Sequence, residues 1–162
     1  MSYPANAFVR ASVSQAPLGT LVYVRGFWTL NVEIHVPVGP KRKSLVMTGD
    51  NAGYLYDAFE THGLATAPEV GVEIRISEPE GRTDDGGLPQ PGVVVIPADG
   101  QPEVWARLPD SEFYKRGFKL NGESVQGEEH EGRPYIYFES YEVWLTRDGK
   151  ALSDKPLFVV GA

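Results

Sequence analysis

Glycine and proline cut this chain into short runs rich in Val, Ile, Tyr, Phe and Trp, and that punctuation limits its fold more than any other feature. Eighteen glycines and thirteen prolines among 162 residues leave little room for long helices, and apolar runs bounded by turn residues read as β-strands. The clearest run is 30–36, where Leu30, Val32, Ile34 and Val36 alternate with Asn31, Glu33 and His35. A period of two places one face on a core and the other in water. Strands are expected before it at 8–13 and 21–26. After it, Pro37-Val38-Gly39-Pro40-Lys41-Arg42-Lys43 reads as a hairpin with a proline-stiffened, basic tip leading into a strand at 44–48.

One helix is expected, over 51–62. Asp50 can cap its first turn, Tyr54, Leu55, Ala58 and Phe59 recur at helical spacing, and Gly63 can close the last turn. Beyond it, Val70, Val72, Ile74 and Ile76 alternate with Gly71, Glu73, Arg75 and Ser77, a second patterned strand. Residues 78–92, dense in Gly, Pro, Asp and Glu, read as a mobile loop. Short strands are expected at 93–96 and 104–108, polar chain with an Asn121-Gly122 turn over 110–132, and a long aromatic strand over 135–146 that loses phase near Ser140. Asp148-Gly149 marks a turn, and 158–160 adds a last strand. The expectation is a single β domain over 1–162, with 78–132 as an insertion or extended arm. Its core should hold Val32, Ile34, Leu55, Phe59, Val72 and Ile74, with Trp105, Phe138 and most tyrosines also inside.

Composition removes several function classes. The chain has no cysteine, which excludes disulfides, thiolate metal sites and a cysteine nucleophile and fits a reducing, cytoplasmic setting. No run approaches the roughly 20 apolar residues of a membrane helix, so no membrane partner is expected. The net charge of -7 opposes indiscriminate binding to nucleic acid. It is unevenly spread: residues 1–49 carry Arg10, Arg25, Lys41, Arg42 and Lys43 against Glu33, a net of +4, and the remainder a net of -11.

Catalytic signatures are missing. There is no GxSxG elbow, no phosphate-binding GxxxxGK[ST] loop and no GxGxxG turn. Glu128-Glu129-His130-Glu131 concentrates possible ligands, but adjacent residues seldom converge on one ion. A non-enzyme without cofactor or metal is expected.

Two segments join rings to cations. Arg25-Gly26-Phe27-Trp28 lies where one strand ends and the next begins, and Phe113-Tyr114-Lys115-Arg116-Gly117-Phe118-Lys119 lies in a polar region. Single-stranded nucleic acid is held by this mixture, because bases stack on rings and cations neutralise phosphates.

The order of elements resembles an OB-fold, a small five-stranded barrel with a helix between its third and fourth strands. In detail, residues 29–36, Lys41 to Lys43, 44–51 and 53–61, and the closing Tyr141-Glu142-Val143-Trp144-Leu145-Thr146-Arg147-Asp148-Gly149-Lys150, are similar to single-stranded DNA-binding proteins of bacteria and mobile elements. The resemblance implies a protein acting on single-stranded DNA in replication, recombination or mobile-element transfer, as a homo-oligomer. Candidate contacts are Arg25, Trp28, Lys41, Arg42, Lys43, Tyr114, Lys115, Arg116 and Lys119, and removing the Lys41–Lys43 cations should lower both affinity and its salt dependence. The alternatives are a β-sandwich in place of the barrel, and an assembly-forming or phage-type structural domain in place of the DNA-binding protein.

Overall fold

The computed structural model describes residues 2–77, 82–84, 90–97, 100–111, 115–125 and 135–161. The first sheet is built from β1 (Phe8–Ser12), β2 (Leu21–Val24), β3 (Phe27–Val36), β4 (Gly39–Val46), β5 (Leu55–Asp57) and β6 (His62–Thr66), in the spatial order β1-β6-β2-β3-β4-β5. β7 (Gly71–Arg75) then leaves for another sheet. The second sheet contains β8 (Arg82–Asp84), β9 (Val94–Ile96), β10 (Glu103–Arg107), β11 (Lys115–Lys119), β12 (Ser124–Val125) and β13 (Tyr135–Phe138), ordered β12-β11-β10-β9-β13-β8. In the third, β14 (Tyr141–Arg147) lies between β7 on one side and β15 (Lys150–Ala151) and β16 (Phe158–Val160) on the other. Every strand pairing within the sheets is antiparallel.

Alternation in the first sheet sends Leu21, Leu30, Val32, Ile34, Leu45 and Leu55 to its front face. There they share one core with Val104 and Phe118 of the second sheet and Tyr141, Val143 and Leu145 of the third. Backbone bonds tie the first two sheets: Glu33 N–H donates to Gly122 O (3.0 Å) and Arg107 N–H to Gly53 O (3.0 Å). Behind the first sheet lies a smaller cluster of Val13, Ala16, Val22, Val24 and Ala65. The segment covering it is pinned by buried Asn31, whose Nδ2 donates to Val13 O (2.7 Å) and Ala16 O (3.0 Å). Burial of this polar side chain is tolerable because its amide donates to those carbonyls.

The mostly β reading and the strands flanking residue 30 agree with this structure. Of the expected core, Val32, Ile34, Leu55 and Trp105 are buried; Val72 and Ile74 pack half-buried at the rim, Phe59 sits against the back cluster, and Phe138 is half-buried. Three expectations need correction. No helix forms over 51–62: a turn leads into β5 and then β6, with Leu55 inward and Tyr56 outward. Leu55 and Tyr56 pair with Leu45 and Ser44, and that sheet pairing overrides a helical pattern too short to hold alone. Second, among the described residues no sheet closes into a barrel; three open sheets enclose the core instead. Third, the polar stretches hold strands: Arg82–Asp84 pairs with β13, and β11 and β12 lie within 110–132. The rest of 78–89 lies outside the described residues. The loss of phase near Ser140 marks a change of sheet, from β13 to β14.

Candidate nucleic-acid interface

β2 and β3 are joined by the two-residue turn Arg25–Gly26, both with positive φ (53° and 90°), the backbone form that matches the twist of a tight hairpin. The turn fixes which rings meet. Residues 23 and 28 become direct partners, Tyr23 also faces Leu64 on β6, and Leu64 faces Arg10 on β1. One row therefore crosses four strands on the front face: Arg10, Leu64, Tyr23, Trp28.

Trp28 is the centre of a ring cluster at this end of the sheet. Its ring lies 5.3 Å from Tyr23, 6.2 Å from Phe8 and 6.2 Å from Phe158, the last nearly parallel at 23°. Tyr3 packs edge-on against Phe8 at 6.2 Å, and its hydroxyl donates to Lys155 O (2.9 Å). Trp28 N–H donates to Thr48 Oγ1 (3.0 Å), which fixes the backbone under the indole. The cluster is open to solvent: Tyr23 is 43% and Leu64 45% exposed, Trp28, Phe8, Tyr3 and Phe158 are half-buried, and Arg10 is exposed. Such a connected, exposed ring surface can stack planar groups or dock an apolar partner.

The three cations of β4 are arranged differently from the expected basic tip. The hairpin tip is Pro37–Val38, and Lys41, Arg42 and Lys43 lie within β4, opposite Ile34, Glu33 and Val32. Alternation splits them between the two faces. Lys43, itself buried, donates to Asp57 Oδ1 (2.7 Å), Lys41 lies 3.3 Å from the same oxygen, and Arg42 Nη1 donates to Ala16 O (2.7 Å) on the back face. All three have internal partners. Hydrogen bonds from Lys43 and then Lys41 hold the Asp57 carboxyl below its ordinary 3.8. Because the folded value is depressed, whatever stability this group adds is complete above 3.8 and is lost as pH falls through the lower folded value. A carbon-detected NMR titration should place the Asp57 midpoint below 3.8, and replacing Lys43 by Met should raise it; an unshifted midpoint would contradict the pairing.

Of the second ring-and-cation segment, 115–119 is strand β11, not a loop. In β11, Phe118 is wholly buried in the core; Lys115 and Lys119 alternate with Arg116, and all three are half-buried. Tyr114 lies outside the described residues. Arg25 and Trp28 thus both lie at the β2–β3 hairpin, Trp28 on the front face with Tyr23 and the Arg25 guanidinium over Phe59 on the back, whereas Lys115, Arg116 and Lys119 belong to another sheet. Arg10, Tyr3, Phe8, Tyr23, Leu64 and Phe158 were not anticipated. One signal was present: Tyr23 and Trp28 are equidistant from the Arg25-Gly26 turn.

Among the described residues no three His, Asp or Glu side chains converge as a metal site, and no helix is long and apolar enough to cross a membrane. His130 and its acidic neighbours lie outside the described residues. Compared with known proteins, the chain matches no family model, and neither a curated protein nor a solved structure shows significant similarity.

Proposed function

We propose that this chain is a binding module that holds single-stranded DNA across the ring platform centred on Trp28. The observation that carries this reading is the contact of Trp28 with three further rings on an open sheet end, with Arg10 closing the row and Arg25 on the adjoining turn. Rings offer bases a stacking surface whatever their sequence, and cations beside them meet the phosphates. The resemblance to OB-fold single-stranded DNA-binding proteins, and with it a role in replication, recombination or mobile-element transfer, enters through this chemistry and not through a closed barrel. With the β4 cations engaged by Asp57 and Ala16 O, Arg10 and Arg25 carry the electrostatics.

Fluorescence anisotropy with a labelled oligo-thymidine and a duplex of equal length tests this. The single strand should bind about tenfold tighter, because its bases are free to stack. Two cations at about 0.7 released ions each give a log–log salt slope between about -1 and -2. Equal affinity for the duplex, or a much steeper slope, would contradict stacking as the main contribution.

A second reading, self-assembly, draws on the same exposed Tyr23 and Leu64 and on Val9 (43%) and Val159 (47%), the latter two on β1 and β16, which end their sheets. An apolar contact of this kind strengthens with salt, whereas phosphate binding weakens. Sedimentation at low and high salt therefore separates the two.

A further inference from the structure

The β2–β3 turn has rings on both sides. Phe27 precedes Trp28 by one residue, so it points to the back face, where it meets Phe59 edge-on at 5.8 Å; Tyr56 stacks on Phe59 at 6.4 Å and 28°. With Thr48, Asp50 and Asn51 these rings line an open cleft of about 310 Å³, room enough for a planar heterocycle. Asp50 and Asn51 are exposed on one rim. Arg25, next in sequence to the lining residue Gly26, holds its guanidinium 5.5 Å from the centroid of Phe59, a ring of the cleft wall.

From this arrangement we infer that the back-face cleft is a binding site for one nucleotide unit, its base against Phe59 and Tyr56 and its phosphate on Arg25. The inference deepens the single-stranded DNA reading and rests on it for the source of the nucleotide. Charge selects the occupant. Arg25 already places a cation over the ring cluster, which disfavours a second cation and favours a planar group that carries an anion. Asp50 repels phosphate, so the anion goes toward Arg25 beside Phe59 and the base edge to the Asp50 rim. A carboxylate only accepts hydrogen bonds, so it selects bases that present adjacent N–H donors: guanine offers a ring N–H beside an amino group, and thymine offers a single N–H between two carbonyls.

The cleft also joins the front platform. Thr48 lines it and accepts from Trp28 N–H, and Arg25 is at the tip between the two faces. A strand passing over the turn could leave one base on Trp28 and the next in the cleft.

The test is amide NMR of the full chain with dGMP, guanosine and dTMP. dGMP should shift the Phe27, Asn51 and Phe59 amides saturably, with guanosine and dTMP each at least about threefold weaker. Phe59→Ala should weaken dGMP about tenfold, the scale of one lost stacking partner. Because Phe59 also packs on the back cluster, Arg25→Asn serves as the second variant: asparagine tolerates positive φ, and the change should erase the preference for dGMP over guanosine. Absence of dGMP shifts at the cleft, or a preference for dGMP over guanosine that survives Arg25→Asn, overturns the site. Binding of a guanine-containing single strand through Trp28 without cleft shifts overturns this inference alone. Saturable cleft shifts without any oligonucleotide binding support the site and overturn the platform reading.

Discussion

Replacing Gly53 by alanine should destabilise the protein by about 3 kcal/mol or more, measured by urea denaturation. Gly53 has φ +90°, and a Cβ there would stand 2.6 Å from Gly92 N and 2.8 Å from Pro91 C, both backbone atoms. Neither can turn aside as a side chain would. The same residue accepts the Arg107 N–H and donates to Val46 O (2.8 Å), so the shift it forces would loosen the seam between the first and second sheets. The helix expected over 51–62 makes the opposite prediction: Gly53 would be interior, and alanine would stabilise by up to about 1 kcal/mol. The sign of one measurement decides between the two.

Trp28→Ala should weaken oligo-thymidine binding by about tenfold to a hundredfold, the range of a lost stacking surface together with its neighbours' packing, and leave the salt slope unchanged. Trp28 holds Tyr23, Phe8 and Phe158 in one surface, so its removal disperses the platform as well as subtracting one ring. The Lys41, Arg42 and Lys43 triple alanine should behave differently from the sequence expectation. It leaves Asp57 without its lysines and removes one of the two hydrogen bonds that Ala16 O accepts, so the loss should appear in stability, with affinity and salt slope near those of the parent. A triple variant that folds normally but loses the salt dependence would restore those cations as phosphate contacts.

The sequence announced strands where alternation was complete, as at Leu30 to Val36, and turns where backbone demands were severe, as at Asp148-Gly149, both with positive φ in the structure. It concealed β11, because Lys115 to Lys119 has one large apolar residue, Phe118, and its order comes from pairing with β10. The Lys41 to Lys43 stretch looked like a tip because Pro40 suggested continued turn. In fact β5 reaches β4 only over Lys43 to Leu45, so Pro40 occupies an unpaired edge where its missing N–H costs little. For the candidate site, Arg25 and Trp28 were legible as neighbours in sequence. Tyr3, Phe8 and Phe158 were not, since the strands that bring them to Trp28 lie at opposite ends of the chain.

The most direct test of the central claim is tryptophan emission during titration of the wild-type protein with oligo-thymidine at low salt. Trp105 is fully buried, and Trp144 is covered by Arg75 at 4.1 Å and donates to Glu142 (2.8 Å), which leaves Trp28 as the indole placed to stack. Saturable quenching that vanishes in Trp28→Phe, while that variant still binds, is the predicted result. Unchanged wild-type emission under conditions where binding is seen by anisotropy, or no binding of any single strand at micromolar protein, would contradict it.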